Sequence, residues 1–124
     1  MKITRFEDIE SWKEGRNLTQ LVYRVTGKGK FKTDFGLRDQ ICRASVSVIS
    51  NIAEGFESHT SAEFVRFLVY SRRSASEVKS QLYVALDNGY ISTQEFETLY
   101  GKATLVSKLI NGFIKYLKAN ASRQ

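Results

Sequence analysis

The sequence predicts an all-α fold: four amphipathic helices packed as an antiparallel, up-down-up-down bundle that assembles as a ring. Three observations carry the bundle. Apolar residues recur at steps of three and four along four long segments, and no segment sustains the two-residue alternation of a strand. Three of those segments open with a hydroxyl residue three positions before a glutamate, the spacing of a capping box. The connections are short, and short connections between long helices favour antiparallel neighbours.

The first helix is expected over about 6–25. Thr4 and Glu7 have the capping-box spacing, and Ile9, Trp12, Gly15, Leu18, Val22 and Val25 share one face. Gly15 costs about 1 kcal/mol of helix propensity against alanine, so a close approach by a neighbouring helix is expected there. Gly27-Lys28-Gly29-Lys30-Phe31-Lys32 breaks the pattern and reads as a flexible, basic connection. Thr33 or Asp34 can cap the second helix, expected over 35–56, with Gly55 near the place of a left-handed C-terminal glycine. Thr60 and Glu63 start the third helix, 61–87, which Asp87-Asn88-Gly89 stops. Its apolar face runs through Phe64, Leu68, Ser71, Ala75, Val78, Leu82 and Ala85. Ser92 and Glu95 start the fourth, 93–119, with Phe96, Leu99, Ala103, Val106, Ile110, Phe113, Ile114 and Leu117 at helical steps.

A chain of 124 residues suits a single domain, 1–124, with one proper core. It holds no apolar run long enough to cross a bilayer, and the opening Met1-Lys2-Ile3-Thr4 lacks the apolar stretch of a signal peptide. A cytoplasmic location is the expectation, with no membrane partner. The single Cys42 cannot form an internal disulfide. The absence of proline leaves helix stops to glycine and polar caps. The formal charge of +6 is unevenly spread: after Glu97 come Lys102, Lys108, Lys115, Lys118 and Arg123 with no acid between them. A solvated helix face and a docking surface for a phosphate polymer are both consistent with such a segment.

The second helix is unusual. Leu37, Ile41, Ala44, Val48 and Ile52 form one apolar stripe, and Val46, Ile49, Ala53 and Phe56 form another. A helix apolar over most of its circumference is expected to be buried against several neighbours, and a subunit interface would cover the surplus. Gln40, Arg43, Ser47, Asn51 and Glu54 line up between the stripes. They are expected to form a structural polar network or part of an interface or groove. Arg43 and Glu54 stand about 16 Å apart along the axis, so Arg43 would find its acid on another helix or another subunit.

No catalytic constellation is evident, and the expectation is a protein that is not an enzyme and has no cofactor. His59 is the only histidine and has no metal-ligand partners at recognisable spacing. Cys42 lies in a mostly apolar helix, where a thiol is usually inert. Gly27-Lys28-Gly29-Lys30 lacks the length and the terminal Lys-Ser/Thr of a phosphate-binding loop.

Several of these segments together resemble one small bacterial family. They are Phe6 to Trp12 (FEDIESW), Gln40 to Ala44 (QICRA), Ser47 to Phe56 (SVISNIAEGF) and Glu63 to Leu68 (EFVRFL), continued by Glu77, Gln81-Leu82 and Asn88-Gly89-Tyr90-Ile91. The family is that of four-helix-bundle proteins encoded in intervening sequences of 23S ribosomal RNA genes. The chain departs from its pattern in having no proline and in carrying Arg72-Arg73-Ser74 where small residues are common. The resemblance implies an antiparallel bundle in a ring, typically a homopentamer. Related proteins are accessory factors of diversity-generating retroelements, in which a similar pentamer binds nucleic acid and a reverse transcriptase.

Two functions follow as expectations. One is a nucleic-acid-binding ring, with RNA or DNA held through phosphates. Its candidate residues are Lys28, Lys30 and Lys32 in the first connection, Arg66, Arg72, Arg73 and Lys79 on the third helix, and Lys108 and Lys115 on the fourth. No RNA-binding signature with its own sequence code is present, so binding should be weakly sequence-specific. The other is a protein scaffold that recruits a nucleic-acid enzyme such as a reverse transcriptase.

Overall fold

The computed structural model describes residues 2–121, so Arg123 lies outside the described residues. Among the described residues there are four α-helices and no strand: α1 (Glu10–Thr26), α2 (Phe35–Phe56), α3 (Ser61–Asp87) and α4 (Thr93–Ala121). Each helix contacts two others, α1 with α2 and α4, and α3 with α2 and α4.

Specific pairs fix how the helices meet. Thr19 Oγ1 on α1 donates to the Ser45 carbonyl on α2 at 3.2 Å, and Thr26 reaches Cys42 at 3.5 Å. Ser71 Oγ on α3 donates to the Val48 carbonyl at 2.6 Å, and Ser74 Oγ donates to Ser47 Oγ at 2.9 Å. The Phe64 ring packs edge-on against Phe113 of α4. At the other end of α3, Tyr83 packs on Phe96 and Tyr100. Lys102 of α4 closes the bundle onto Glu14 of α1 at 2.8 Å.

Two buried clusters fill the interior. One gathers Leu18, Val22, Phe31, Ile41, Val78, Leu82 and Leu99; the other gathers Ile9, Val48, Ile52, Leu68, Val106 and Ile110. Small residues let α2 approach its neighbours. A Cβ at Gly15 would lie 2.7 Å from Ile49 Cγ2, so this glycine does mark the close approach of another helix. Gly55 plays the same role rather than the expected one. Its φ is not positive, it is buried inside α2, and a Cβ there would lie 2.7 Å from the Phe64 ring and 2.9 Å from Phe67 Cβ. The left-handed glycine belongs instead to Gly89, φ 71°, just after α3.

The start of α1 also differs from the expectation. Residues Phe6–Asp8 form a separate 3-10 turn, Ile9 is extended, and α1 begins at Glu10. Packing overrides the local cap signal: Ile9 is buried, and the turn sets Phe6 edge-on to Trp12 with ring centroids 5.2 Å apart. The other two caps form. Thr60 Oγ1 accepts from the Glu63 N–H at 3.1 Å. Ser92 and Glu95 exchange reciprocal bonds of 2.9 and 3.0 Å.

The second apolar stripe of α2 is largely covered within the chain. Ile49 meets Gly15 of α1, and Phe56 packs on Phe64 of α3. Val46 is the member left open, at 37% exposure. The surplus expected to require another subunit is therefore small on α2 itself.

Candidate nucleic-acid interface

The nine candidate cations fall into two regions. The first is the connection between α1 and α2, which is ordered rather than loose. Gly29–Thr33 forms a 3-10 turn, entered through Gly29 at φ 58°, and Phe31 within it is fully buried. Phe31 sits 5.3 Å from the Tyr90 ring, so the residue between the lysines is a core anchor. Asp34, not Thr33, caps α2: its Oδ1 accepts from the Leu37 N–H at 3.1 Å. Its Oδ2 accepts from the Tyr90 hydroxyl at 2.9 Å, and that bond holds the Tyr90 proton above its ordinary affinity. The anchored turn leaves Lys28, Lys30 and Lys32 exposed.

The charge of this region is partly cancelled. Lys28 Nζ lies 3.0 Å from Glu95 Oε2 at the start of α4. The Glu95 carboxyl is held below the ordinary glutamate range, first by the Ser92 N–H and then by Lys28. Arg38 joins the region, with Nη1 donating to the Lys32 carbonyl at 3.2 Å. Sequence reasoning passed over Arg38 because its approach to the lysines depends on the turn that Phe31 anchors.

The second region is the α3–α4 face. Arg72 Nη1 donates to Asn111 Oδ1 at 2.7 Å across the two helices. Lys108 and Lys115 stand three before and four after Asn111, which places them on the same side of α4, toward α3. Lys79 follows Arg72 by two turns and sets its ammonium 4.8 Å from the centre of the Tyr100 ring. Arg66 and Arg73 occupy the outer side of α3, both exposed, with Arg73 over Tyr70 at 5.9 Å. Among the described residues none of these six cations forms an ion pair. The carboxylates nearest in sequence are Glu63 and Glu77 on α3 and Glu97 on α4. Of the exposed tyrosines, Tyr83 lies on this side, 49% exposed and packed on Phe96 and Tyr100 of α4, whereas Tyr70 is turned toward α2 and Tyr116 toward α1. The structure thus brings Arg72, Lys79, Lys108 and Lys115 together and leaves Lys28, Lys30 and Lys32 elsewhere.

The polar line of α2 is not buried as expected. Gln40, Arg43 and Glu54 are exposed, and only Ser47 and Asn51 are half-buried. Arg43 pairs with Asp39 one turn earlier on its own helix, at 2.9 Å, rather than with Glu54 or a distant acid. Its side chain is 80% exposed, so no buried charge needs compensation. The network is local: Asn51 Nδ2 donates to the Ser47 carbonyl and to Ser47 Oγ, and Ser74 donates to Ser47. Cys42 lies beside Thr26, and His59 follows the far end of α2, about 20 Å away along the helix.

The fold defines a class: an all-α protein of four helices, with an open cluster of cations where α3 meets α4. Within that class the chain belongs to the 23S rRNA-intervening sequence protein family, whose model matches residues 7–112. Its fold is also similar to a crystal structure from Bacteroides thetaiotaomicron, described as a protein with unknown function from the S23 ribosomal protein family. That likeness has a TM-score of 0.78 at 21% identity and covers 85% of this chain and 98% of the other. At that identity it establishes the fold alone. No curated protein matches the sequence. No helix among the described residues is long and apolar enough to cross a membrane.

Proposed function

We propose that this chain is a non-enzymatic, cytoplasmic, homo-oligomeric bundle that binds RNA through phosphate-directed basic surfaces. The observation that carries the reading is the α3–α4 face, where Arg72, Lys79, Lys108 and Lys115, without ion pairs among the described residues, lie beside the exposed Tyr83. A phosphate backbone binds such a surface by releasing its condensed counterions, without base-specific contacts. The family's description as an intervening-sequence protein of ribosomal RNA supports RNA as the polymer.

We read the helices as an antiparallel up-down-up-down set. In every contacting pair, residue numbers rise along one helix as they fall along the other, as in Val48 with Ser71 and Ser47 with Ser74. We read the assembly as a ring, a homopentamer on the family resemblance. Tyr23, Phe35 and Val46, at 53, 74 and 37% exposure, leave apolar surface on the α1–α2 side, away from the basic face. A second reading draws on the same three residues: they would dock a nucleic-acid enzyme, and the chain would be a scaffold.

Mass in solution by light scattering, with and without labelled RNA at several salt concentrations, tests both parts. The expected result is a multiple of 14.1 kDa and RNA affinity that falls steeply with salt. A stable monomer would remove the ring. No RNA binding even at low salt would remove the RNA reading and leave the scaffold.

A further inference from the structure

The α3–α4 face combines charge with rings in a way that phosphate binding alone does not require. Tyr83 is 49% exposed. It is braced from beneath by Phe96 at 4.8 Å and Tyr100 at 5.8 Å, and those two rings stack on each other at 5.3 Å with a 28° tilt. Lys79 sits over Tyr100 in the same cluster. Tyr116 is 58% exposed but stands about 140° around α4 from Asn111, on the side of Lys102 and α1, and is not part of this face. Arg72, Lys108 and Lys115 continue the Tyr83 side of the α3–α4 pair, away from that ring. The bond to Asn111 occupies one of the five guanidinium donors of Arg72.

We propose that this face is a track for single-stranded RNA, with Tyr83 stacking on an unpaired base and Arg72, Lys79, Lys108 and Lys115 taking the phosphates of the strand that runs on from it. The proposal rests on the RNA reading above and adds the form of the strand. In a duplex the bases are stacked internally, and A-form RNA presents its shape, its 2′-hydroxyls and its phosphates. Exposed rings gain nothing from that surface. A single strand offers π-faces that stack on aromatic side chains regardless of sequence, while a basic groove follows its backbone. The bracing of Tyr83 by Phe96 and Tyr100 matters energetically. A ring already held in place loses little freedom when a base settles on it.

The test is fluorescence anisotropy with a labelled 20-nucleotide mixed-sequence RNA, offered single-stranded and as its duplex, at several salt concentrations. The intact protein should prefer the single strand. Tyr83→Ala should weaken single-strand binding about thirtyfold, the middle of the range for one base stacked on an aromatic ring, and leave the salt slope unchanged. Tyr83→Trp should restore it. Circular dichroism shows that each variant is folded. Equal affinity for duplex and single strand overturns the proposal, and so does wild-type affinity in Tyr83→Ala; in both cases RNA binding through phosphates still stands. Failure to bind either form at low salt overturns the proposal and the RNA reading together.

Discussion

The two basic regions of this molecule carry similar charge by different means. In the α1–α2 connection the lysines ride on a turn whose middle residue, Phe31, is sunk in the core, and one of the three is held by Glu95. On the α3–α4 face Arg72, Lys79, Lys108 and Lys115 project from helices beside Tyr83 and Tyr100, and among the described residues none of the four is ion-paired. The difference shows that counting lysines does not locate a binding surface. Neighbouring carboxylates lower the local field, and exposed rings decide what besides phosphate the surface can hold.

The contrast depends first on the connection being rigid, so the largest expected effect comes from removing its anchor. Phe31 is fully buried beside Tyr90, and Phe31→Ala should destabilise the protein by about 3–5 kcal/mol. Chemical denaturation read by circular dichroism measures the loss. Amide exchange should show the Gly29–Thr33 turn losing protection before the helices do. A loss below about 1 kcal/mol would mean that the turn is not anchored and that the two regions differ less than the structure implies.

How much of this was legible in the sequence follows from the range of each interaction. The caps at Thr60 and Ser92 bond within three residues, so their spacing alone announced them. Gly15 announced a close approach because a glycine on an apolar face has few other uses. The failures were long-range. Phe31 reads as a loop aromatic until Tyr90, 59 residues later, is placed against it. Thr4 and Glu7 spell a cap that the burial of Ile9 overrides. The α2 polar line is a correct face in a wrong environment, because periodicity shows which residues share a side and not what covers it. The cations of the α3–α4 face could be paired by heptad spacing within each helix. Their meeting across helices needed Arg72 to reach Asn111.

A middle-sized effect should separate the two regions directly. Lys108 and Lys115 are exposed, as are Lys30 and Lys32, so removing either pair should leave the fold intact. Lys108→Ala with Lys115→Ala should reduce the salt slope of single-stranded RNA binding by about 1.4, at roughly 0.7 for each phosphate no longer neutralised. Lys30→Ala with Lys32→Ala should reduce it less, because Asp34 and Glu95 lie in the connection's surroundings. Equal reductions would erase the distinction and make the basic surface continuous from one region to the other.

The smallest effect carries two signs at once. Glu95 is held below the ordinary glutamate range by the Ser92 N–H and then by Lys28. A carboxylate that gives up its proton more readily when folded stabilises the fold above the ordinary glutamate range. That contribution fades as pH falls through the range toward the folded value. Glu95→Gln keeps an acceptor for the Ser92 N–H and removes the charge that holds Lys28. Lys28 is 65% exposed, so screening by solvent limits the loss at neutral pH to under about 1 kcal/mol. Acid unfolding should become correspondingly less steep. The same substitution frees Lys28, so RNA affinity should rise slightly and the salt slope should grow by up to about 0.7. A protein that becomes a little less stable yet binds RNA a little better would show that Glu95 tempers the connection. If RNA affinity and slope stay fixed while the acid limb changes, the lysine turn does not touch RNA, and binding belongs to the α3–α4 face alone.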